Sequence, residues 1–383
     1  MRGFARSVRG IEWIAAAELA GRTGATVDAL GHREIHFTVP HPVPELLDVR
    51  TVDDVFVTAF TVDGLDHTRA SLGALAEATR EAAGAVVAAV SEVGRLRAVR
   101  ATWTFDAVGT FLGRRNYNRT DIEDAFGGAV EDALGNQATY FSRRDDRVPP
   151  LTDVSWRVHL RDSVALVGVR LGPHPLHRRA YKVAAPRGTL HPPVAAALAL
   201  VAGVGGDAAG DPGLLLDPFC GAGTIVVEHA LAGGARSLGI DVSAAAATGA
   251  ITNARAAGVD GSVGVVRADA SRAPLARGCV TRVVTNPPWN RTVAMHAAGD
   301  EAAAWAEVAR VSAPSARAVV LTEAGVPAPP GWEGPLASFP ISLSGLHPRV
   351  SVFTAPGADP SALPPEGNAF ATELRAFAAL ADT

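Results

Sequence analysis

The spacing of hydrophobic and polar positions changes along this chain, and the change divides it into two kinds of structure. Before residue 173, helical spacing over Ile11–Leu19 is followed by two-residue alternation over Glu34–Val39. After it, short β-branched runs alternate with helical segments, from Leu214–Asp217 to Arg317–Thr322. Because strands separated by helices pair in parallel through right-handed crossovers, the second part predicts an α/β fold with a mostly parallel sheet. The first part predicts a smaller α+β unit.

Three local patterns place elements in the first part. Ser71–Val90 predicts one Ala-rich helix. Thr120–Glu123 fits a capping box, in which a hydroxyl and a carboxylate each satisfy an orphan N–H, and opens a helix through Leu134. Residues Val154–Arg161 alternate between apolar and polar, and the two-residue connection Asp162-Ser163 leads into Val164–Leu171, so the pair predicts a hairpin with one polar, basic face.

A proline-rich stretch separates the two parts. Pro173–Pro193 contains five prolines and little apolar periodicity, which is typical of an interdomain linker. We therefore expect an N-terminal region at 1–172, a linker at 173–195, a second domain at 196–357 and a C-terminal tail at 358–383. Within the second domain, Pro335–Ser344 and Val350–Thr354 predict an antiparallel hairpin at one sheet edge.

Composition narrows the class of protein. Hydrophobic residues occupy 48% of the 383 positions, but no apolar run approaches the roughly 20 residues that span a bilayer. No apolar stretch follows the start Met1–Phe4, so we expect no signal peptide. Two cysteines, Cys220 and Cys279, are too few for a disulfide framework or a zinc site. We expect a cytoplasmic protein with no metal.

Charge is distributed unevenly. Residues 1–195 carry 24 Lys and Arg against 23 Asp and Glu, whereas residues 196–383 carry 11 against 16. Within residues 141–190 there are ten basic residues and four acidic ones. This excess suits a polyanionic partner. A solvated surface with no ligand is the alternative, because the acids are interleaved with the bases.

Leu214–Thr224 (LLLDPFCGAGT) predicts a strand, a glycine turn and a helix start. Gly221 and Gly223 let the backbone turn sharply and approach a ligand, while Asp217 at the strand end can accept from an ammonium group. Ligands of such sheets bind at the carboxyl ends of the strands. A dinucleotide site would need glycine where Val226 stands, which disfavours nicotinamide and flavin dinucleotides. A plain strand–helix connection is the alternative.

Two more acids end the next two strands. Asp241 follows Gly223 by 18 residues and can hold both ribose hydroxyls, and Asp269, beside Ala270, can accept from an adenine amino group. Either acid alone is more often a helix cap or a solvated loop residue. Together with Asp217 they predict a pocket for an adenosine with an amino-acid tail. S-adenosylmethionine fits better than a triphosphate, because no Gly-Lys-Ser/Thr sequence is present to hold phosphates.

A fourth strand, Arg282–Thr285, ends at the sequence NPPW, residues 286–289. Two prolines stop the strand and stiffen the loop that follows. The Asn286 amide oxygen and the Pro287 carbonyl can accept the two N–H bonds of a planar amino group, and the Trp289 indole can stack on its ring. The loop therefore predicts a holder for an amino group.

In this order and spacing, DPFCGAGT, LGIDVS, VVRADA and NPPW resemble the class I S-adenosylmethionine-dependent methyltransferases that modify amino nitrogens. The first part, through RGIEWIAAAEL, LLDVRTVDDVFV, FLGRRNYNRTDIEDA and LHRRAYK, is similar to the THUMP-domain methyltransferases that act on the 2-amino group of guanine in tRNA. The resemblance covers about residues 1–355. It implies a ferredoxin-like and THUMP module that grips the tRNA acceptor stem, followed by a Rossmann-like, seven-stranded catalytic sheet.

The resemblance also implies site residues. At the cofactor it places Asp217, Gly221 and Gly223 around the methionine moiety, Asp241 at the ribose and Asp269 at the adenine, with Pro218, Phe219, Thr224, Val242 and Ala270 also in contact. At the target base it places Asn286, Pro287, Pro288 and Trp289. Trp289 stands where the family usually has Tyr or Phe, and Asn290 stands where it commonly has glycine.

Six basic residues near the THUMP-like motif and the linker are our candidates for phosphate contacts: Arg114, Arg115, Arg119, Arg178, Arg179 and Lys182. The alternative is that some of them only bridge the two domains by ion pairs. The expected activity is N2-methylation of a tRNA guanosine. The alternatives are another planar amino group (in ribosomal RNA, DNA adenine or a glutamine side chain) and an RNA-binding protein whose methyltransferase half is inactive.

Overall fold

The computed structural model of the protein describes residues 1–144, 150–186, 188–203, 213–288, 298–323, 329, 331–343 and 345–355. Its first part, residues 2–170, is an eight-stranded sheet whose strands lie in the order β2-β3-β1-β4-β8-β7-β5-β6. The elements are β1 (Arg2–Arg6), α1 (Glu12–Thr23), β2 (Thr26–Gly31), β3 (Glu34–Thr38), β4 (Asp54–Val62), α2 (Ala70–Glu81), α3 (Ala83–Gly94), β5 (Trp103–Phe111), α4 (Arg119–Leu134), β6 (Ala138–Tyr140), β7 (Val154–Arg161) and β8 (Val164–Arg170).

Side-chain alternation decides which face of this sheet is covered. On β7, Trp156, Val158 and Leu160 lie in the core beneath the helices, where α3 contacts β4 and β8, and α4 contacts β5 and β7. Arg157 and Arg161 point to the other face because neighbouring strand residues alternate. The predicted β7–β8 hairpin is confirmed, with Asp162 in its turn at a φ of 52°.

Two sequence predictions in this part are wrong in detail. The stretch predicted as one helix is two, because the chain turns at Ala82, and nothing in the Ala-rich sequence signals this break. The N-cap of helix α4 lies two residues before the one predicted at Thr120. Asn118 is its N-cap: the Asn118 side chain accepts from the Asp121 amide at 2.9 Å, and the Asp121 carboxylate accepts from the Asn118 amide at 3.0 Å. Asn caps a helix as well as Thr does, so the earlier box forms.

The second part is a seven-stranded sheet with the order β11-β10-β9-β12-β13-β15-β14. Its elements are α5 (Pro192–Val201), β9 (Leu214–Asp217), α6 (Thr224–Leu231), β10 (Arg236–Asp241), α7 (Ala244–Ala256), β11 (Val263–Arg267), β12 (Val280–Thr285), α8 (Ala298–Val311), β13 (Ser312–Thr322), β14 (Glu333–Pro340) and β15 (Arg349–Thr354). The five strands β9 to β13 pair in parallel, and β14 and β15 form an antiparallel edge. Both predictions for this sheet are confirmed.

The predicted linker contains the start of a helix. Helix α5 begins at Pro192, inside the predicted linker. Prolines are tolerated at its first two positions, because the N–H groups there have no partner within the helix. The predicted division of the chain into domains stays a prediction. The predicted C-terminal tail from residue 358 lies outside the described residues.

A buried carboxylate joins the two sheets. Glu228 of α6 is fully buried and accepts from Arg50 Nε at 2.6 Å, Arg179 Nε at 2.9 Å and the Tyr181 hydroxyl at 2.7 Å. Arg50 in turn precedes β4, and its amide donates to the buried Glu18 of α1. Burial and the charge of Glu228 raise the pKa of Tyr181, so its hydroxyl remains a donor. One side chain therefore holds the N-terminal part, the linker and α6 together.

Replacing Glu228 tests this junction. Glu228→Ala leaves two guanidinium groups without their acceptor in a buried place, so we expect the free energy of unfolding, measured by urea denaturation, to fall by about 3–5 kcal/mol. Asp132→Ala is the matched control, because Asp132 is 63% exposed and pairs with Arg80 at the surface. Its cost should stay within about 1 kcal/mol. Equal effects of the two substitutions would contradict the account of this junction.

Candidate active site

Four neighbouring strands carry the predicted site residues at one edge of the seven-stranded sheet. β11, β10, β9 and β12 are adjacent and parallel, so their carboxyl ends lie together. Asp217 ends β9, Asp241 ends β10 and Asn286 follows β12 directly, while Asp269 lies two residues beyond β11. The structure thus brings together the acids and the amide that the sequence places far apart.

The turn after β9 requires its glycines. Gly221 has a φ of 51° and Gly223 a φ of 75°, a region that other residues rarely adopt. A Cβ on Gly223 would also lie 2.8 Å from the Cβ of Ala250 in α7. The amide of Cys220 donates to the Ile240 carbonyl at 2.9 Å, which ties the turn to β10. The backbone of this turn can therefore approach a ligand at the carboxyl ends of the strands.

Asp217 is the most strongly perturbed acid of the site. It is 2% exposed, and its Oδ1 accepts from the Thr285 hydroxyl at 2.8 Å and from the Phe219 amide at 3.2 Å. Burial raises the pKa of Asp217 to about 7, against these two hydrogen bonds and with a contribution from the charge of Asp241. A buried carboxylate that lacks a cation is well suited to receive an ammonium group.

Asp241 connects the glycine turn to the next strand. Its Oδ2 accepts from the Gly221 amide at 2.9 Å, and its Oδ1 accepts from the Ser243 amide at 2.8 Å. Each oxygen keeps a lone pair for a further donor, as two ribose hydroxyls require. Beside it Val242 is 69% exposed, so an apolar surface stands next to the carboxylate at the same strand end.

Asp269 has a structural role of its own. Its Oδ1 caps a short 3₁₀ turn, Ala270–Arg272, by accepting from the amide and the hydroxyl of Ser271, both at 2.8 Å. The hydrogen bond from the Ser271 amide, followed by that from its hydroxyl, lowers the pKa of Asp269. The helix-cap alternative thus describes its local contacts, and its second oxygen remains available for a ligand. Ala270 is buried beside it.

Two polar atoms at these strand ends are buried without a hydrogen-bond partner among the described residues. One is Oδ1 of Asn286 and the other is the Thr224 hydroxyl at the start of α6. Such atoms are rare in folded proteins, and they are typical of positions that a ligand satisfies. Pro287 is buried and Pro288 half-buried after Asn286, whereas Trp289 and Asn290 lie outside the described residues.

Sequence reasoning missed two residues that support the site. Thr285 carries the hydrogen bond to Asp217, and its only sequence signal is its place at the strand end. Asn253 of α7 is fully buried; its Nδ2 donates to the carbonyls of Ala222 at 2.9 Å and Ala184 at 2.8 Å, and its Oδ1 accepts from the Ala184 amide at 2.9 Å. An amide on the buried face of an Ala-rich helix was a signal that could have identified Asn253.

The six candidate phosphate contacts fall into separate groups. Arg114 and Arg115 line a cavity of about 370 Å³ on the eight-stranded sheet, between the turns at residues 65–67 and 162–163. Arg115 donates to the carbonyls of Leu65 and Asp66 there. Arg114, Arg119 and Arg178 are exposed. Phosphate contact by the three exposed arginines and by Arg115 stays a prediction.

The other two candidates are engaged within the protein. Arg179 is 9% exposed in its side chain and pairs with Glu228, and Lys182 donates to the Leu190 carbonyl at 2.8 Å. For Arg179, the alternative of an ion pair that bridges the two parts describes its observed contacts. Its contact with a phosphate, like that of Lys182, stays a prediction.

In the described part of the chain, no group of three or more His, Cys, Asp or Glu side chains is arranged to hold a metal ion. In the same part, no helix is long and apolar enough to cross a membrane.

Comparison with known proteins points to the same chemistry. Residues 179–324 match the family described as UPF0020, RMKL-like, methyltransferase domain. Ribosomal RNA large subunit methyltransferase K/L of Alcanivorax borkumensis is 40% identical over 83 residues, which are 22% of this chain. The matched stretch spans only 12% of that relative's length.

Solved structures extend the similarity over the whole fold. TrmN from Thermus thermophilus superposes with a TM-score of 0.69 at 25% identity, covering 92% of this chain and 99% of that one. SMU.472, a putative methyltransferase complexed with SAH, superposes with a TM-score of 0.64 over 92% of this chain and 98% of its own. At 14% identity, SMU.472 shows the shared fold alone. Residues 179–324 are therefore similar to an RMKL-like methyltransferase domain, and the cofactor is S-adenosylmethionine.

Proposed function

We propose that this protein transfers the methyl group of S-adenosylmethionine to the exocyclic 2-amino group of a guanosine in RNA, with tRNA as the first substrate. The observation that carries the proposal is the buried, unpartnered Oδ1 of Asn286, which follows the strand whose Thr285 binds Asp217. Among the described residues, Asn286 Oδ1 has no donor and the buried Asp217 carboxylate has no cation. A base amino group and the cofactor's ammonium group supply these two missing partners.

The reaction needs positioning more than proton transfer. The nitrogen attacks the methyl carbon as the carbon–sulfur bond breaks, S-adenosylhomocysteine leaves, and the nitrogen loses one proton to solvent. An amino group conjugated to a ring is a poor nucleophile, so Asn286 Oδ1 and the Pro287 carbonyl hold its hydrogens and turn the nitrogen toward the methyl group. The two prolines after Asn286 keep these acceptors in place.

The cofactor residues divide by the part of the molecule they hold. Asp217 binds the ammonium group, with Pro218, Phe219, Gly221, Gly223 and Thr224 around the methionine moiety. Asp241 accepts from the ribose hydroxyls, and Val242, Asp269 and Ala270 surround the adenine. Support comes from the contacts of each carboxylate, since Asp217 and Asp241 both keep acceptor capacity beyond the hydrogen bonds described.

RNA is the acceptor that the rest of the chain supports best. The relative named above is a ribosomal RNA methyltransferase, but the match covers only part of the methyltransferase domain, whereas the likeness to TrmN includes the N-terminal sheet. The sequence resemblance of that N-terminal part to THUMP-domain enzymes favours tRNA. Ribosomal RNA is the second candidate, on the strength of the named relative. A target base inside a helix must leave its stack to reach the site, and Trp289 would stack on it there.

The proposed role of Asn286 predicts a separation of binding from transfer. The wild-type protein should produce N2-methylguanosine in tRNA from labelled cofactor, as detected by nucleoside mass spectrometry. Asn286→Ala should lower transfer at least 100-fold, because about 3 kcal/mol of positioning is lost. Cofactor affinity measured by calorimetry should stay within threefold of the wild type, because Asn286 faces the base.

Three outcomes would contradict this account of the site. They are a wild-type product methylated at another nitrogen, incorporation into ribosomal RNA but not tRNA, and an Asn286→Ala variant that loses cofactor affinity together with activity. The first two would overturn the assigned target atom or RNA but not the roles of the site residues. The third would remove the role assigned to Asn286.

The raised pKa of Asp217 predicts a pH dependence of cofactor binding. The ammonium group binds the carboxylate form, which predominates only above the pKa of about 7. The cofactor's own amino group stays charged at lower pH, since α-amino groups titrate near pH 8. Calorimetry should therefore show affinity falling by about tenfold for each pH unit below 7. Asp217→Asn should bind weakly and without this slope; an identical slope in that variant would assign the titration to another group.

A further inference from the structure

The face of the eight-stranded sheet that lies away from its helices is rich in arginine. Arg6 on β1, Arg170 on β8 and Arg157 on β7 all lie on this face, because the residues beside them, Ala5, Val169 and Val158, are buried in the core beneath the helices. The three strands are close together in the sheet, in the order β1-β4-β8-β7. It includes the polar, basic face that the sequence predicted for the β7–β8 hairpin. The candidate methyl-transfer site lies on the other sheet and does not use it.

Arg157 differs from its neighbours in having no carboxylate partner. Arg6 binds Glu34 at 2.6 Å and Arg170 binds Asp54 at 2.6 Å. A fourth arginine, Arg143, pairs with Asp106. Arg157 has no hydrogen bond or ion pair to any described residue, and its Nε is buried without a partner. Its guanidinium lies over the ring of Phe56 at 5.6 Å, and the charge of Asp54 attracts it without an ion pair between the two.

An unpaired guanidinium in this place costs stability. Burial, followed by repulsion from Arg6, lowers the pKa of Arg157 to about 10, so the side chain stays charged at neutral pH but is stabilised less than in water. The charge of Asp54 partly offsets this lowering of the pKa, but Asp54 is already bound by Arg170. A buried charge that lacks a partner is retained in proteins mainly where a ligand supplies the opposite charge.

We propose that Arg157 is the centre of a phosphate-binding site for the backbone of the RNA substrate, a proposal that rests on the function given above. The planar fork of a guanidinium donates two parallel hydrogen bonds to phosphate oxygens. An extended polyanion fits better than a small anion, because two further arginines, Arg2 and Arg161, are exposed and lie on the same face by strand alternation. This contact is separate from the six phosphate candidates taken from the sequence.

Binding of fluorescently labelled bulk tRNA to the full chain tests the site. At 50 mM salt, Arg157→Gln should weaken binding three- to tenfold and reduce the slope of log affinity against log salt by about 1. Arg157→Lys keeps the charge but loses the planar fork, so it should keep the salt slope of the wild type and have an affinity between those of the wild type and Arg157→Gln. Arg95→Gln is the matched control, because Arg95 directly follows α3 in the helical layer and its side chain is 60% exposed, and it should behave as the wild type.

Stability separates this role from a structural one. Because Arg157→Gln removes an unpaired cation, its thermal unfolding midpoint should equal or exceed that of the wild type, and its cofactor affinity should not change. A lower midpoint together with weaker binding would make Arg157 a structural residue. Affinity and salt slope equal to those of Arg95→Gln would also overturn the proposal.

Inorganic phosphate distinguishes the source of the anion. If phosphate raises the unfolding midpoint of the wild type but not of Arg157→Gln, while tRNA binding is the same in both, the site takes a small anion and the RNA assignment is wrong. Failure of the proposed methylation is a separate result, since it would appear as lack of labelled product from a wild-type protein that still binds tRNA with the predicted salt slope.

Discussion

The hydrogen bond from Thr285 to Asp217 is the interaction on which the account of this protein depends. It joins the ends of β9 and β12, two strands that are neighbours in the sheet but 68 residues apart in the chain. Asp217 receives the cofactor's ammonium group in our proposal, and Thr285 is followed directly by Asn286. One buried contact therefore sets the cofactor's tail and the acceptor for the base in a fixed relation, which an in-line transfer requires.

Two other buried polar side chains connect this edge to the rest of the molecule. Glu228 fastens α6 to Arg50 and the linker, and Asn253 fastens α7 to Ala184 of the linker and to Ala222 of the glycine turn. Both helices follow strands that end at the site. Helices α6 and α7 thus hold both the linker and the glycine turn in place. The linker therefore attaches the N-terminal sheet to the two helices that follow the strands of the site.

Much of this organisation could be predicted from the sequence because local rules determine it. The glycine turn at Gly221 and Gly223, the parallel strands and the antiparallel edge each follow from spacing and residue type. The partners of Glu228 and Asn253, and the absence of an ion pair between Arg157 and any described residue, could not be predicted, since each depends on residues brought together from distant elements. The N-cap of α4 at Asn118 was missed because two overlapping capping boxes were compatible with the same residues.

The most direct test of the central claim is calorimetric titration of Thr285→Val with S-adenosylmethionine between pH 6 and 8.5. The hydrogen bond from Thr285 lowers the pKa of Asp217, so its removal should raise that pKa above the value of about 7. The pH at which affinity is half-maximal should move upward, and affinity at pH 7 should fall. Thr281→Val on the same strand is the control, because its hydroxyl donates a long hydrogen bond of 3.4 Å to the Leu214 carbonyl and is not bound to Asp217. A midpoint that is unchanged in Thr285→Val would contradict the account.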